Sequence, residues 1–433
     1  MNLSPITKRR LKQFRANKRG YWSFWIFMVL LVLSLSASFI ANDKPLMVNY
    51  KDKTYYPVLF SYPETTFGGD FETETDYRDE FVKELIEKDG KGWMLWPLIP
   101  YTYDTINYNL PCAAPSPSPQ LTKSKWDNRE IRNSIKYGFY LIGGAIHYTV
   151  IVIRVIFETA YSLIKSIGTG SLEVNIQIDR YGKFKPIFFS SCEKKIIDIY
   201  ERGEEKKYNF DNYIGTDDQA RDVTARVIYG FQLSVIFGLI LTIVSSAVGI
   251  MAGAIQGYYG GLADLIMQRI MEIWQSMPSL YILIIFSAMF TPGFWTLFLI
   301  LLLFSWMSLV DVVRAEFLRA RNFDYVRAAH ALGISDPVIM WRHVLPNAMV
   351  ATITYMPFIL TASITSLTAL DFLGLGMPPG SPSLGELLKQ GKDNLHAPWL
   401  VFCAFFSLAT LLTLLTFIGE AVRDAFDPRK TAL

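Results

Sequence analysis

The sequence predicts an all-α, polytopic membrane protein of six transmembrane helices, with an extracytoplasmic α+β insertion between the first helix and the second. Three observations lead there. Of 433 residues, 51% are hydrophobic and only 19% are charged, where soluble domains average about 25% charged. The apolar residues are bunched into runs of about 20, the length that crosses about 30 Å of hydrocarbon. The arginines and lysines between those runs also fall on one side of a six-span arrangement, as the positive-inside rule requires.

The first run, 21–41, follows the basic stretch Lys8-Arg9-Arg10-Lys12-Arg15-Lys18-Arg19. A secretory signal would have an apolar core of about 7–15 residues and a small-residue cleavage site. This longer run therefore reads as a retained anchor, with residues 1–20 in the cytoplasm. Further spans are expected over 228–255, 270–290 with Pro278 inside it, 294–313, 347–373 and 399–418. Arg269, the cluster Arg314, Arg319, Arg321, Arg327, Arg342 and His343, and the tail residues Arg423, Arg429 and Lys430 all then lie in the cytoplasm. The expected division is a cytoplasmic N-terminus 1–20, a first span 21–41, a periplasmic segment 42–227, a membrane domain 228–419 with a cytoplasmic loop 314–346, and a cytoplasmic tail 420–433.

The segment 42–227 opens aromatic and acidic, with Glu64, Asp70, Glu72, Glu74, Asp76, Asp79 and Glu80, and with Trp93, Trp96, Tyr101, Tyr103 and Tyr108 close together. Such a composition predicts a folded cap rather than disorder. Alternating prolines from Pro111 to Pro119 predict an extended connector. Residues 137–164 are apolar but hold His147, Arg154 and Glu158. One more span there would carry the basic loop outside, so a surface-packed helix is expected instead. Leu172, Val174, Ile176 and Ile178 alternate with polar residues, the period of a half-buried strand, with 183–190 as a hairpin partner. Cys112, Cys192 and Cys403 show no metal or redox spacing. Cys112 and Cys192 share the periplasmic segment, and spacing alone leaves open whether they pair.

The loop after the fourth run carries the most information. Asn322 or Asp324 can cap a short helix, and Gly333 can end it in the left-handed conformation. Ser335 or Asp336 can start a second helix with Pro337 in its first turn, and Pro346 is expected to close it. Ala328, Ala329 and Ala331 present little side chain, so another protein's backbone can approach. An ordinary loop helix, with alanines present for propensity, has the same pattern.

Arg327-Ala328-Ala329, three residues, Gly333, nine residues, then His343-Val344-Leu345-Pro346 resembles the EAA loop of ABC importer permeases, with Arg327 in place of Glu and His343 in place of Ile. The resemblance implies a coupling loop, Asp324, Arg327, Ala328, Ala329, Gly333, Leu345 and Pro346, that docks on an ATPase. Gly215-Thr216-Asp217-Asp218-Gln219-Ala220-Arg221-Asp222 is similar to the lead-in to span two in the dipeptide/oligopeptide branch, with Ala220 where a Gly is usual. Gly257-Tyr258-Tyr259-Gly260-Gly261 with Asp264, Phe372–Gly376 with Ser383-Leu384-Gly385, and Gly419–Pro428 resemble further segments of that branch. Arg19–Ser23, Ile40–Leu46, Thr66–Gly69 and Ser116–Pro119 look like the Yej-type permeases of microcin C and peptide importers. Residues 129–212 look like an insertion relative to that pattern.

The resemblance implies a type I ABC importer permease in a bacterial inner membrane, multi-pass, both termini cytoplasmic. It implies half of a translocation pathway for peptides or peptide-like compounds. The partners implied are a second permease subunit, ABC ATPase subunits, a periplasmic substrate-binding protein and membrane lipid. No catalytic or metal residues and no cofactor are expected in this chain. It has no G-x-x-x-x-G-K-[ST] loop, so ATP is bound by partner subunits. A net charge of +3 gives no reason to expect nucleic acid. A permease for a non-peptide solute and a secondary transporter are the alternatives. The second would want ionisable residues deep within its spans, whereas Asp311, Asp371 and Glu420 fall near span ends.

Overall fold

The structure is a computed structural model, and it describes residues 5–87, 92–120, 122, 191–203, 212–291 and 293–426. The expected surface helix 137–164 and the strands over 172–190 lie outside the described residues, as do most of the insert 129–212 and the end of the tail. The chain divides into two compact units. One comprises Met1–Asp104, Ala225–Lys389 and Ala404–Leu433; the other comprises Thr105–Thr224 and Gln390–Cys403.

The first unit begins with two helices, α1 (Pro5–Ala16) and α2 (Lys18–Leu35). Asn17 stands at the junction and caps α2, its side-chain oxygen accepting from the Gly20 amide at 3.2 Å. A short helix, α3 (Ala37–Ile40), continues the run. Three strands follow: β1 (Met47–Tyr50), β2 (Lys53–Tyr55) and β3 (Trp93–Leu95), antiparallel in the order β2-β1-β3. Val48 faces Tyr55 on one side and Met94 on the other. With helix α4 (Glu80–Glu87) these strands enclose a core of Val48, Tyr50, Phe67, Tyr77, Val82 and Ile86. The small sheet therefore lies between the first two spans, at 47–95.

The aromatic cluster read from the sequence disperses. Tyr101 is buried under the Arg78 guanidinium at 4.3 Å, Tyr103 packs on Tyr229, and Trp93 and Tyr108 are exposed. The acidic residues are placed more simply. Glu74 pairs with Lys44 and accepts from Ser61 at 2.9 Å, and those bonds hold its carboxyl below the usual carboxylate range.

The second unit holds α5 (Ser191–Arg202). Cys112 and Cys192 are joined by a disulfide, their Cα atoms 5.8 Å apart. The proline-rich stretch, expected as an extended connector, is packed into this unit. Ser116 and Ser118 are buried, and Pro117 bridges to Gly215.

Among the described residues, five helices are long and apolar enough to cross a membrane: Lys18–Leu35, Val223–Tyr259, Phe294–Ala320, Asp336–Leu373 and Pro398–Phe426. They contain α6 (Val223–Tyr259), α9 (Phe294–Ser305), α10 (Met307–Ala320), α13 (Leu345–Leu373) and α15 (Pro398–Phe426). Between the second and third of them run α7 (Gly261–Ser276) and α8 (Ser279–Met289), bent by 78° at their break. Counted together they make a sixth span. The span expected over 270–290 is thus broken at Pro278. Proline disfavours helical geometry in the residue before it, and Met277 is extended, with φ −73° and ψ 129°.

Close packing of α6 on α10 follows from a stripe of glycines four residues apart. A Cβ at Gly253 would stand 2.7 Å from the Val310 carbonyl oxygen, and one at Gly257 would stand 2.6 Å from that of Arg314. Only glycine permits backbones to approach so closely. This contact fixes the position of the loop after α10, because the end of α6 and the continuation of α10 both support it.

Candidate functional site

α10 runs on as helix to Ala320, so Arg314 and Arg319 sit on its final turns rather than in a loop. The chain then forms α11 (Asp324–Ala331) and α12 (Asp336–Ile339), followed by one wide π turn, Met340–Val344, that leads directly into α13. Of three local expectations here, two are corrected, and that of Ser335 at the start of the second helix is met. Phe323, not Asn322 or Asp324, occupies the cap of α11, with no side-chain cap bond. Ser335 caps α12 through its backbone alone. Pro346 does not close the second helix, because the π turn widens the helix before it. A proline clashes with the carbonyl four residues earlier, and a π turn relieves that crowding. Gly333 has φ 75°, the left-handed conformation that glycine adopts without strain.

The underside of this loop is apolar. Val326, Ala329, Ile339 and Val344 are buried in one cluster with Phe317, Val313, Ala320 and Tyr258. Ala329 is only 5% exposed, so it faces this chain's own core and is not available for another protein's approach. Ala328 and Ala331 are the exposed small residues, flanked by exposed Asp324, Arg327 and Gly333. Around them rise Phe323, Tyr325, Leu332 (80% exposed), Val338 and Trp341 (63% exposed). Leu345 is half-buried and Pro346 is exposed.

Polar bonds fasten the loop to the end of α6. The Tyr258 hydroxyl donates to Asp336 Oδ1 at 3.1 Å and, its proton so used, accepts from His330 Nε2 at 2.8 Å. The two rings stack, 22° from parallel. Arg314 grips Asp264 with both arms, Nε to Oδ1 at 2.5 Å and Nη2 to Oδ2 at 2.7 Å, the bidentate geometry that strengthens charged hydrogen bonds. Arg321 reaches the Tyr258 carbonyl at 3.5 Å and stands over Gly260, where any Cβ would meet it. Gly260 and Gly261 both have positive φ, 64° and 54°, and turn the chain from α6 into α7. Asn347 donates to the Tyr325 hydroxyl at 3.2 Å.

Gly260, Gly261 and Asp264 are therefore brought together with the loop. Tyr258, His330 and Arg314 belong to the same site, and the sequence did not mark them as partners. Tyr258 lay within a noted motif, but no local pattern announces a bond across 72 residues.

The stretch 215–222 belongs to the second unit and is a closed turn. Asp217 Oδ1 accepts from the amides of Gln219 and Arg221 at 2.9 and 2.8 Å. Thr216 bridges to Asp222 and accepts from the Ser116 amide at 2.9 Å. Asp222 accepts from Asn212, which in turn accepts from Asn107. Thr216, Asp217 and Asp222 are fully buried, while Gly215 takes φ 122° and Ala220 takes φ 62°. These contacts give the motif a structural role in this unit. Among the described residues, no three His, Cys, Asp or Glu side chains are placed to hold a metal.

Residues 245–432 match the protein family described as the binding-protein-dependent transport system inner membrane component. The chain is 50% identical to the peptidoglycan transport system permease protein YejE of Agrobacterium fabrum, over 99% of this chain and 94% of that protein. It is 45% identical to the inner membrane ABC transporter permease protein YejE of Escherichia coli, over 99% and 98% of the two chains. The dipeptide transport system permease protein DppC of Haemophilus influenzae is 33% identical over 50% of this chain and 74% of that protein. The chain belongs to the family of binding-protein-dependent inner membrane components, the multi-pass permeases of ABC transport systems, and within it to the Yej-type permeases.

Proposed function

We propose that this permease forms half of an import pathway for peptides or peptide-like compounds, with a second permease subunit forming the other half. ATP is bound and hydrolysed by separate ABC ATPase subunits, a periplasmic binding protein delivers the cargo, and the chain lies in a bacterial inner membrane with both termini cytoplasmic. The loop 314–346 is the coupling element. Its apolar underside and its bonds to α6 make it rigid, and its outward face carries small and apolar side chains suited to a protein partner. That two-sided build is the observation that carries the proposal: force applied to Ala328 or Leu332 passes through Val326, Ala329 and Tyr258 into α6 and α10. The cargo class is supported by relatives named for peptidoglycan and dipeptide transport.

The test is uptake into vesicles holding the complete transporter. ATP-dependent accumulation of a labelled muropeptide or short peptide, but not of a sugar or a free amino acid, is expected. Uptake without ATP, or with a sugar preferred, would overturn the proposal. A reporter active only outside the cytoplasm should be silent when fused after Leu433.

A further inference from the structure

Helix α1 has two chemically different faces. Arg10, Gln13 and Phe14 are half-buried: the Arg10 guanidinium lies 4.3 Å over the Phe426 ring, and Phe14 packs edge-on against Phe24. The opposite face exposes Lys8, Arg9, Leu11, Lys12 and Arg15, and Lys18 and Arg19 continue it past the Asn17 corner. Lys8, Lys12, Arg15, Lys18 and Arg19 make no ion pair among the described residues. No Asp or Glu occurs in the chain before Asp43. Like charges one helical turn apart, such as Lys8 and Lys12, repel each other, so a source of negative charge beside this face would stabilise it.

Two further features identify that source. Leu11 is exposed in the middle of the cationic face, and Trp22 and Trp25, 62% and 48% exposed, follow on the first turns of α2. Exposed tryptophans at the start of a span mark the headgroup level of a bilayer. An apolar residue set among cations suits the boundary between headgroups and acyl chains. A soluble anion has no use for Leu11 or for the tryptophans.

We propose that α1 lies on the cytoplasmic leaflet and binds anionic phospholipid, with Lys8, Lys12, Arg15, Lys18 and Arg19 engaging the phosphodiester groups and Leu11 entering the acyl boundary. This rests on the reading of α2 as a membrane span. The helix's inner face also holds the last span, through Arg10 on Phe426 and through Asn17, which donates to Asp424 at 3.4 Å. Bound lipid thereby fixes the cytoplasmic ends of the first and last spans together.

The experiment uses the full chain in phosphatidylcholine vesicles carrying trace spin-labelled phosphatidylglycerol or spin-labelled phosphatidylcholine, with the motionally restricted fraction of each label measured. The wild type should restrict phosphatidylglycerol preferentially, and the preference should shrink between about 50 mM and about 500 mM salt. The triple variant Lys8→Gln, Lys12→Gln, Arg15→Gln should lose about fivefold in preference per charge removed. The charge-keeping variant Lys8→Arg, Lys12→Arg, Arg15→Lys should keep the preference, which separates charge from folding. Inorganic phosphate should compete no better than sodium chloride of equal ionic strength; stronger competition would mean a soluble-anion site and overturn the proposal. Equal restriction of both lipids by the wild type, or undiminished preference in the Gln variant, would also overturn it. Restriction of neither lipid would instead overturn the membrane reading of α2.

Discussion

Ala328 and Ala329 are neighbours with opposite surroundings, and substituting each tests the two-sided loop. Ala329 is enclosed by Phe317, Val326, Ile339 and Val344, all buried. Ala329→Leu adds three carbons to a closed cluster, and overpacking of that kind costs about 1–3 kcal/mol. Ala328 is exposed, so Ala328→Trp should change stability by no more than about 0.5 kcal/mol while filling the space a docked partner needs. The assay pairs thermal unfolding of the purified full chain with ATP-driven uptake by the complete transporter. Ala329→Leu should lower the unfolding midpoint by a few degrees, with uptake falling only as far as folded protein is lost. Ala328→Trp should leave the midpoint in place and abolish uptake. Normal transport by Ala328→Trp would show that nothing docks on this face. An unchanged midpoint for Ala329→Leu would show that the apolar underside is not closed.

Tyr258→Phe removes the hydroxyl shared by His330 and Asp336 and should cost about 1–2 kcal/mol of local stability, seen as faster amide exchange over 324–339; unchanged protection would mean the latch holds nothing. Gly253→Val should separate α6 from α10, since its Cβ would meet the Val310 carbonyl, and should lower the unfolding midpoint more than the same change at Gly293, which has open space around it and an extended backbone, φ 177°. Ala220→Gly should stabilise the chain by about 0.5–1 kcal/mol, because a non-glycine residue at φ 62° is disfavoured; a destabilised variant would refute that. The Glu74 carboxyl titrates below its ordinary value because of Lys44 and then Ser61, so its contribution is full above about pH 5 and is lost as pH falls through the folded value. For so exposed a pair that contribution is at most about 1 kcal/mol, and the stability difference between wild type and Glu74→Gln should vanish in acid.

The membrane architecture was legible because apolar runs of span length and the placement of arginines need no tertiary information. Motif spacing likewise located the helix–turn–helix between α10 and α13 and the glycine that turns it. Relations across the chain could not be read in the same way. Cys112 and Cys192 are 80 residues apart, and which alanine of a pair faces inward depends on Ile339 and Val344 arriving from a later element. The sheet escaped notice because β1 and β3 are 4 and 3 residues long, too short for a period-two pattern to stand out.

The two prolines show why local rules ran out. Pro278 and Pro346 each follow an apolar helix-forming residue, and the same rule predicts a break before both. At Pro278 the rule holds, and Met277 turns extended. At Pro346 it fails: Leu345 keeps helical angles, φ −56° and ψ −43°, and the chain continues as one helix from Asp336 to Leu373. The difference lies in what surrounds each turn. Met277 and Pro278 are exposed, so nothing opposes the extended conformation. Ile339, just before the π turn, and Val344, its last residue, are fully buried, and unwinding there would draw both out of the cluster beneath the loop. Burying a side chain of that size is worth about 1.5–3 kcal/mol, comparable to the roughly 3 kcal/mol that an interior proline costs a helix. Packing therefore offsets the local preference at one proline and not at the other, and it does so where the loop must be rigid.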